Sequence, residues 1–120
     1  EVRVFDTVTG DSLNTFSTEM MPWHFQLTSD ESKVFITNRM SDSISIFDLI
    51  TGSTNTLTDE SMEMLHGCAL STNDELLVVT SSGSGKAYIY ETDSNQLMHV
   101  IALGVNSETD PLPTGVAIVH

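Results

Sequence analysis

Short apolar and β-branched runs separated by polar turn residues recur along the chain, and no stretch shows the spacing of an amphipathic helix. Runs such as Val34-Phe35-Ile36 and Ala87-Tyr88-Ile89-Tyr90 are apolar at consecutive positions, which predicts strands buried on both faces. The pattern therefore predicts an all-β chain, with strands at Val2–Asp6, Ser12–Phe16, Trp23–Thr28, Lys33–Asn38, Ser43–Asp48, Ser53–Leu57, His66–Ser71, Leu76–Ser81, Lys86–Glu91, Gln96–Ala102 and Thr114–Val119.

The strand pattern repeats with a period of 42 to 43 residues, because the segment Val4–Gly10 returns as Ile46–Gly52 and, less closely, as Ile89–Asn95. Four short strands per repeat of this length are typical of a β-propeller, in which each four-stranded antiparallel sheet forms one blade. The repeat predicts two full blades and parts of two others: the outer strands of one blade with a connecting loop in 1–21, blades in 22–64 and 65–112, and the inner strand of a next blade in 113–120.

Each blade of a propeller needs a neighbour on both faces. We therefore expect the remaining blades to come from the rest of a longer chain or from other subunits. The third repeat is about five residues longer than the second in its last loop, residues 104–113. This loop is a candidate for a contact specific to this protein, with plain surface decoration as the alternative.

The composition is acidic, with 17 Asp and Glu against 4 Lys and Arg and a net charge of −13. Such a surface repels phosphate backbones and anionic membranes, so nucleic acid and membrane insertion are not expected. No apolar run reaches the roughly 18 residues of a membrane span. Cys68 is the only cysteine, which excludes an intrachain disulfide, and its place in a strand predicts a buried core residue.

The candidate ligand site is the mouth of the propeller channel. In a propeller the loops from the outermost strand of one blade to the innermost strand of the next, and the loops between the second and third strands, open on one face. These loops and the strand ends beside them supply an aromatic ring for stacking and several polar side chains. The predicted ligand-binding residues are Trp23, His24, Asn38, Arg39, His66, Ser82 and Lys86.

His24 and His66 each follow a methionine, Met21 and Met64, by two or three residues. Methionine and histidine together can bind soft metals or haem iron. The alternative is structural, with each histidine bonding the backbone and each methionine filling a gap between blades. We predict the structural role, and therefore neither a metal nor a cofactor.

No catalytic residue is predicted either. The sequence suggests no grouping of serine, histidine and aspartate, and the glycine-rich segment 82–86 lacks the spacing of a phosphate loop. The acidic segment 59–63 lacks the ligand spacing of a calcium loop.

Several segments resemble the YVTN family of β-propeller repeats. The family motif Tyr-Val-Thr-Asn is similar to Phe35-Ile36-Thr37-Asn38, and the turn after it in the family is similar to Val4–Gly10. The inner-strand motif Pro-His-Gly-hydrophobic-Ala is similar to Leu65–Ala69 and to Pro113–Ala117, whereas Trp23-His24 departs from it.

The resemblance implies a secreted, cell-surface or periplasmic propeller. We expect a non-enzymatic binding or scaffold module that presents loops at the channel mouth to a protein, a glycan or a small ligand. The alternative is the propeller part of a periplasmic redox enzyme associated with a quinone or haem cofactor, or of a lactonase-like hydrolase.

Overall fold

The computed structural model describes residues 1–104 and 112–119, and all of the regular structure in this part of the chain is β. The strands form one two-stranded and two four-stranded sheets, in the orders β1-β2, β3-β4-β5-β6 and β10-β9-β8-β7, with every pair antiparallel. Their bounds are β1 Val2–Phe5, β2 Ser12–Phe16, β3 Pro22–Leu27, β4 Lys33–Asn38, β5 Ser43–Asp48, β6 Thr54–Thr58, β7 Leu65–Leu70, β8 Leu76–Ser81, β9 Lys86–Glu91 and β10 Leu97–Ala102.

Ten of the eleven predicted strands are confirmed to within one residue at each end. The prediction of a strand at Thr114–Val119 is wrong in the described chain, where residues 112–119 are irregular. A strand exists only where it pairs in a ladder, and the described residues offer no neighbour on which this segment could form one. The long loop predicted at 104–113 lies mostly outside the described residues.

In the sheet β3–β6, which we call the first blade, the central strands β4 and β5 are buried on both faces. Val34, Ile36 and Phe47 pack toward the sheet β1-β2, where the rings of Phe16 and Phe47 lie 4.8 Å apart. Residues of the opposite face pack against the sheet β7–β10, the second blade, in a core made of Phe35, Ile44, Ile46, Met62, Leu65, Cys68, Leu77, Val79, Tyr88 and Tyr90. Consecutive apolar residues in β4 therefore serve two different interfaces, as the sequence predicted.

Backbone conformation repeats along with the sequence. Residues with positive φ occupy the same position in successive repeats, 43 residues apart in the two full blades. Gly10 and Gly52 take this conformation in the turns where the sequence predicted it, with φ of 77° and 74°. The other matched positions are Met21 with Met64, Glu31 with Asp74, Asp42 with Gly85, and Gly52 with Asn95.

Several side chains join the first blade to the second, or to the loop before it, by hydrogen bonds. The hydroxyl of Thr37 donates to the carbonyl of His66 at 2.8 Å. The carboxylate of Asp42 accepts the backbone N–H of Met64 at 2.7 Å. At the other end of the interface, the carboxylate of Asp74 accepts the backbone N–H of Ser29 at 2.6 Å. These bonds fix the relative position of the two blades from one end to the other.

Candidate functional site

The loops at one end of the blades lie together, as the sequence predicted. The backbone N–H of Arg39, after β4, donates to the carbonyl of Met21, before β3, at 2.9 Å. In the second blade, the backbone N–H of Ser82 donates to the carbonyl of Met64 at 3.1 Å. We call the surface made by the connections β2–β3, β4–β5, β6–β7 and β8–β9 the rim face.

Trp23, Arg39 and His66 meet on the rim face, and we call them the rim cluster. The guanidinium carbon of Arg39 lies 5.0 Å from the centre of the Trp23 ring, within cation–π distance. The His66 ring meets the Trp23 ring edge-on, with centroids 5.2 Å apart. The Trp23 side chain nevertheless stays 46% exposed. Three of the seven predicted site residues therefore form one cluster that spans both blades.

The position of the hydrogen on His66 follows from its partner. Nδ1 of His66 lies 2.6 Å from the carbonyl oxygen of Thr114. Because a carbonyl oxygen can only accept, Nδ1 carries the hydrogen in this contact. The rim cluster therefore offers a stacking surface on Trp23, N–H donors on Arg39 and the second ring nitrogen, Nε2, of His66.

His24 points across to the second blade, where its Nδ1 lies 3.5 Å from Sγ of Cys68. Cys68 is buried as predicted, and this burial raises the pKa of its thiol to about 12. The thiol is therefore protonated at neutral pH and is not a nucleophile. The contact joins the two blades at the inner strands.

The side chains of Asn38 and Ser82 turn inward. Asn38 is fully buried and donates from Nδ2 to the hydroxyls of Ser43 and Ser45, at 3.2 and 2.8 Å. Ser82 is buried and donates from Oγ to the carbonyl of Met64 at 2.7 Å. Lys86 is partly buried, and its charge is one of the smaller causes of a lowered pKa at Asp59, after the hydrogen bonds from Ser61. In the described part of the chain, none of these three side chains forms a hydrogen bond with a side chain of the rim cluster.

A network of hydroxyl groups positions the loop before β7. The hydroxyl of Tyr88 donates to the carbonyl of Ser61 at 2.6 Å, and Tyr88 itself is fully buried. Ser81 accepts the backbone N–H of Glu63 at 2.9 Å and donates back to the carbonyl of the same residue. This network holds the backbone beside Met64 from both sides.

A groove lies next to the rim cluster, among the loops that the sequence assigned to the channel mouth. It is an open groove of about 560 Å³ at the interface of the two blades, lined by Met21, Arg39, Met40, Asp42, Glu63 and Met64. The expectation that Met21 and Met64 fill gaps between blades is wrong, because both side chains are exposed. Met62, in contrast, is buried in the core between the blades. Met21 and Met64 also share a positive φ, which is not visible in the sequence.

Within residues 1–104 and 112–119, no three histidine, cysteine, aspartate or glutamate side chains converge to hold a metal ion. The same part of the chain contains no helix that is long and apolar enough to cross a membrane.

Comparison with known proteins identifies the fold. No family model and no curated protein matches the sequence. Among solved structures, hydrazine synthase from Kuenenia stuttgartiensis matches with a TM-score of 0.68 and 19% identity, over 86% of this chain and 28% of that chain. A functionally unknown protein from Desulfotomaculum acetoxidans matches with a TM-score of 0.71 and 16% identity, over 86% of this chain and 33% of that one. Dihydro-heme d1 dehydrogenase NirN matches with a TM-score of 0.72 and 14% identity, over 82% of this chain and 21% of that one.

The chain therefore spans between 21% and 33% of the length of these three structures. At identities below 20%, the likeness concerns the fold. The protein is an all-β segment of a β-propeller, and its described residues form two complete four-stranded antiparallel blades and a two-stranded part of a third.

Proposed function

We propose that this chain is the binding part of a non-enzymatic β-propeller, which uses its rim face to hold a protein, a glycan or a small ligand. The rim cluster carries the proposal. An exposed tryptophan held between an arginine and a histidine is typical of a recognition surface, because the ring supplies apolar contact area at low entropic cost. Arg39 and His66 add directional polar groups beside the ring.

We further propose that the repeats are of the YVTN type. The residues on which the resemblance depends have repeated structural roles, which supports this assignment. Thr37 links its own inner strand to the next one. Asp6 and Asp48 each accept two backbone N–H bonds in the turn between the third and fourth strands. Gly67 allows a close approach of residues 114 and 115.

The proposal includes a location and partners. The YVTN resemblance favours a secreted, cell-surface or periplasmic protein whose remaining blades come from the rest of the polypeptide or from other subunits. The net charge of −13 disfavours nucleic acid and anionic membranes as partners. The blade boundaries predicted at 22–64 and 65–112 belong to the same proposal.

The first test is the absorption spectrum of the native protein between about 350 and 450 nm, where haem and quinone cofactors absorb. A colourless protein without stoichiometric metal agrees with a binding module. A cofactor band would overturn the proposal in favour of a redox propeller, and one of the fold neighbours, NirN, is a dehydrogenase by its name.

The second test compares Trp23→Ala with wild type on an array of glycans and peptides. Val8→Ser is the matched control, because Val8 is 91% exposed in the turn between β1 and β2, away from the rim face. We expect Trp23→Ala to weaken binding about tenfold or more and the control to leave it unchanged. Equal binding by all three proteins would exclude the rim cluster as the site.

A further inference from the structure

Four of the six methionines of this chain are exposed on the rim face. Met40 and Met64 lie in the groove with their side chains 64% and 39% exposed, and Met20 and Met21 are exposed in the loop before β3. Large apolar side chains exposed together mark an interaction surface more often than side chains exposed singly. We call the groove of about 560 Å³ and the adjoining Met20 and Trp23 the methionine surface.

A missing neighbour does not account for the exposure of Met40 and Met64. Both residues sit at the interface between the first and second blades, and both of these sheets are complete. The groove is therefore exposed with both of its flanking blades in place, whereas Trp23 also lines the recess at the open side of the first blade. The recess at the other side of the first blade differs, because there the neighbouring sheet has only two strands.

Hydrogen bonds hold the backbone of the methionine surface in place, whereas its exposed methionine side chains can change conformation to fit a ligand. The N–H of Met64 is bonded to Asp42, and its carbonyl accepts from both the N–H and the hydroxyl of Ser82. The carbonyl of Met21 accepts the N–H of Arg39. An unbranched thioether on a fixed backbone can repack around different apolar groups at little cost.

Carboxylates surround this apolar surface. Asp42 and Glu63 line the groove itself, and Glu19 and Glu60 are exposed in the loops that carry the methionines. The one basic residue of the groove, Arg39, lies against the Trp23 ring. The surface therefore combines an apolar floor with a negative surround, on a chain whose net charge is −13.

We propose that the methionine surface binds a segment of a partner protein that carries large apolar side chains next to lysine or arginine. The apolar side chains would pack on the methionines and Trp23, and the basic groups would meet the surrounding carboxylates. The carboxylates disfavour phosphate-rich surfaces for the same reason that they favour a basic peptide. This inference rests on the proposed binding function and names the class of its ligand.

The test uses the emission of Trp23 in the native protein, taken as the difference between wild type and Trp23→Phe so that only this ring is counted. The probes are synthetic peptides of about 12 residues with two leucine or phenylalanine anchors flanked by lysine and arginine. A second set has glutamate in place of every basic residue. We expect binding of the basic peptides to shift the Trp23 emission. Added salt should weaken this binding, because screening weakens charge attraction.

Two variants and one control show which side chains of the methionine surface bind the peptides. Met40→Ser combined with Met64→Ser should weaken binding of the basic peptides about tenfold, because it removes the apolar floor. Met98→Ser is the matched control, since Met98 is 48% exposed on the outermost strand β10. Glu63→Gln should weaken the basic peptides a few-fold and leave the apolar contacts intact. If the double variant fails to fold, Met40→Ser alone is used, because Met40 is the more exposed of the two.

Each outcome separates this inference from the proposed function. Equal binding of the two peptide sets would overturn the charge preference while leaving the rim face as a binding surface. No emission change with either set, or an equal loss for Met98→Ser, would overturn the inference. The proposed function is then still decided by the absorption spectrum and the Trp23→Ala array.

Discussion

The two interfaces of the first blade have the same sequence pattern but differ in completeness. Toward the second blade, a four-stranded sheet meets it and the core includes ten buried residues. Toward β1-β2, only two strands meet it and the core includes four. At the open interface β3 lines an apolar recess of about 610 Å³, with Phe25 exposed by 66%, whereas Cys68, the equivalent residue of β7, is 2% exposed. The inner strands of the neighbouring blade therefore bury the inner strand of each repeat.

The largest expected effect is a difference in the loss of stability when one large side chain is truncated at each of the two interfaces. Leu65→Ala removes a residue that is fully buried in the complete interface and should lower the free energy of unfolding by about 2 to 5 kcal/mol. Phe25→Ala at the open interface should change it by about 0.5 kcal/mol or less in the isolated 120-residue chain. Urea denaturation measures both. An equally large loss for Phe25→Ala would mean that the recess is filled in the isolated chain, for instance by another copy.

The next effect concerns the approach of residues 112–119 to the second blade. A Cβ at Gly67 would lie 2.8 Å from the carbonyl oxygen of Thr114, so Gly67→Ala must displace one of the two segments. We expect a loss of about 1 to 3 kcal/mol, together with faster hydrogen exchange in residues 112–119. Gly115→Ala is the matched control, because a Cβ there meets no atom within 4 Å. Equal exchange rates in the two variants would contradict the close packing.

A smaller effect isolates one hydrogen bond between blades. Thr37 and Thr80 are equivalent, and each bonds the N–H and the carbonyl of the inner strand of its own blade. Among the described residues, Thr37 also donates to the next blade, at the carbonyl of His66, and Thr80 makes no such bond. Thr37→Val should therefore cost about 1 kcal/mol more than Thr80→Val in urea denaturation. Equal costs would mean that the bond between blades adds nothing.

The smallest effect is a difference in acid sensitivity between the first turn of the first blade, β3 to β4, and the first turn of the second blade, β7 to β8. Hydrogen bonds from Thr28 and Ser32 lower the pKa of Asp30 from 3.8 to about 2, whereas the equivalent residue of the second blade is the neutral Asn73. A carboxyl whose pKa is lower in the folded state stabilises it above the unfolded pKa, and this contribution is lost as the pH falls from about 4 to 2.

We therefore expect hydrogen exchange at Ser32 to quicken between about pH 5 and 2.5 relative to exchange at Glu75, after correction for intrinsic rates. Asp30→Asn gives this turn of the first blade the same neutral side chain as the second blade has, and it should remove the difference in hydrogen exchange. A difference that persists in this variant would exclude Asp30 as its source.

The strands were predictable from the sequence because turn residues mark both ends of each hairpin. Gly10 and Gly52 mark two of these turns, and consecutive apolar residues such as Val34 and Phe35 indicate burial on both faces. The final predicted strand failed because an apolar pattern without a pairing neighbour does not make a ladder.

The candidate site was less predictable because its composition depends on how the blades meet. The sequence placed Asn38 and Ser82 near the mouth, but the direction of their side chains is set by partners such as Ser45 and the carbonyl of Met64. Met40 carries no motif, and its exposure follows only from the packing of the loops around it. Trp23 was recognisable because a large aromatic ring at the start of an inner strand, next to the mouth loops, is suited to stack on a ligand.

The recurrence of positive φ has a consequence for how such a chain can change length. Met21 and Met64 have nearly the same φ, 58° and 52°, and each precedes an inner strand. Excision of residues 22–64 would join Met21 to Leu65 and reproduce the junction that Met64 already makes. A deletion of part of a repeat would put the left-handed positions out of register with the residues that now occupy them. One whole repeat is therefore the natural unit in which the molecule can be shortened, lengthened or recombined.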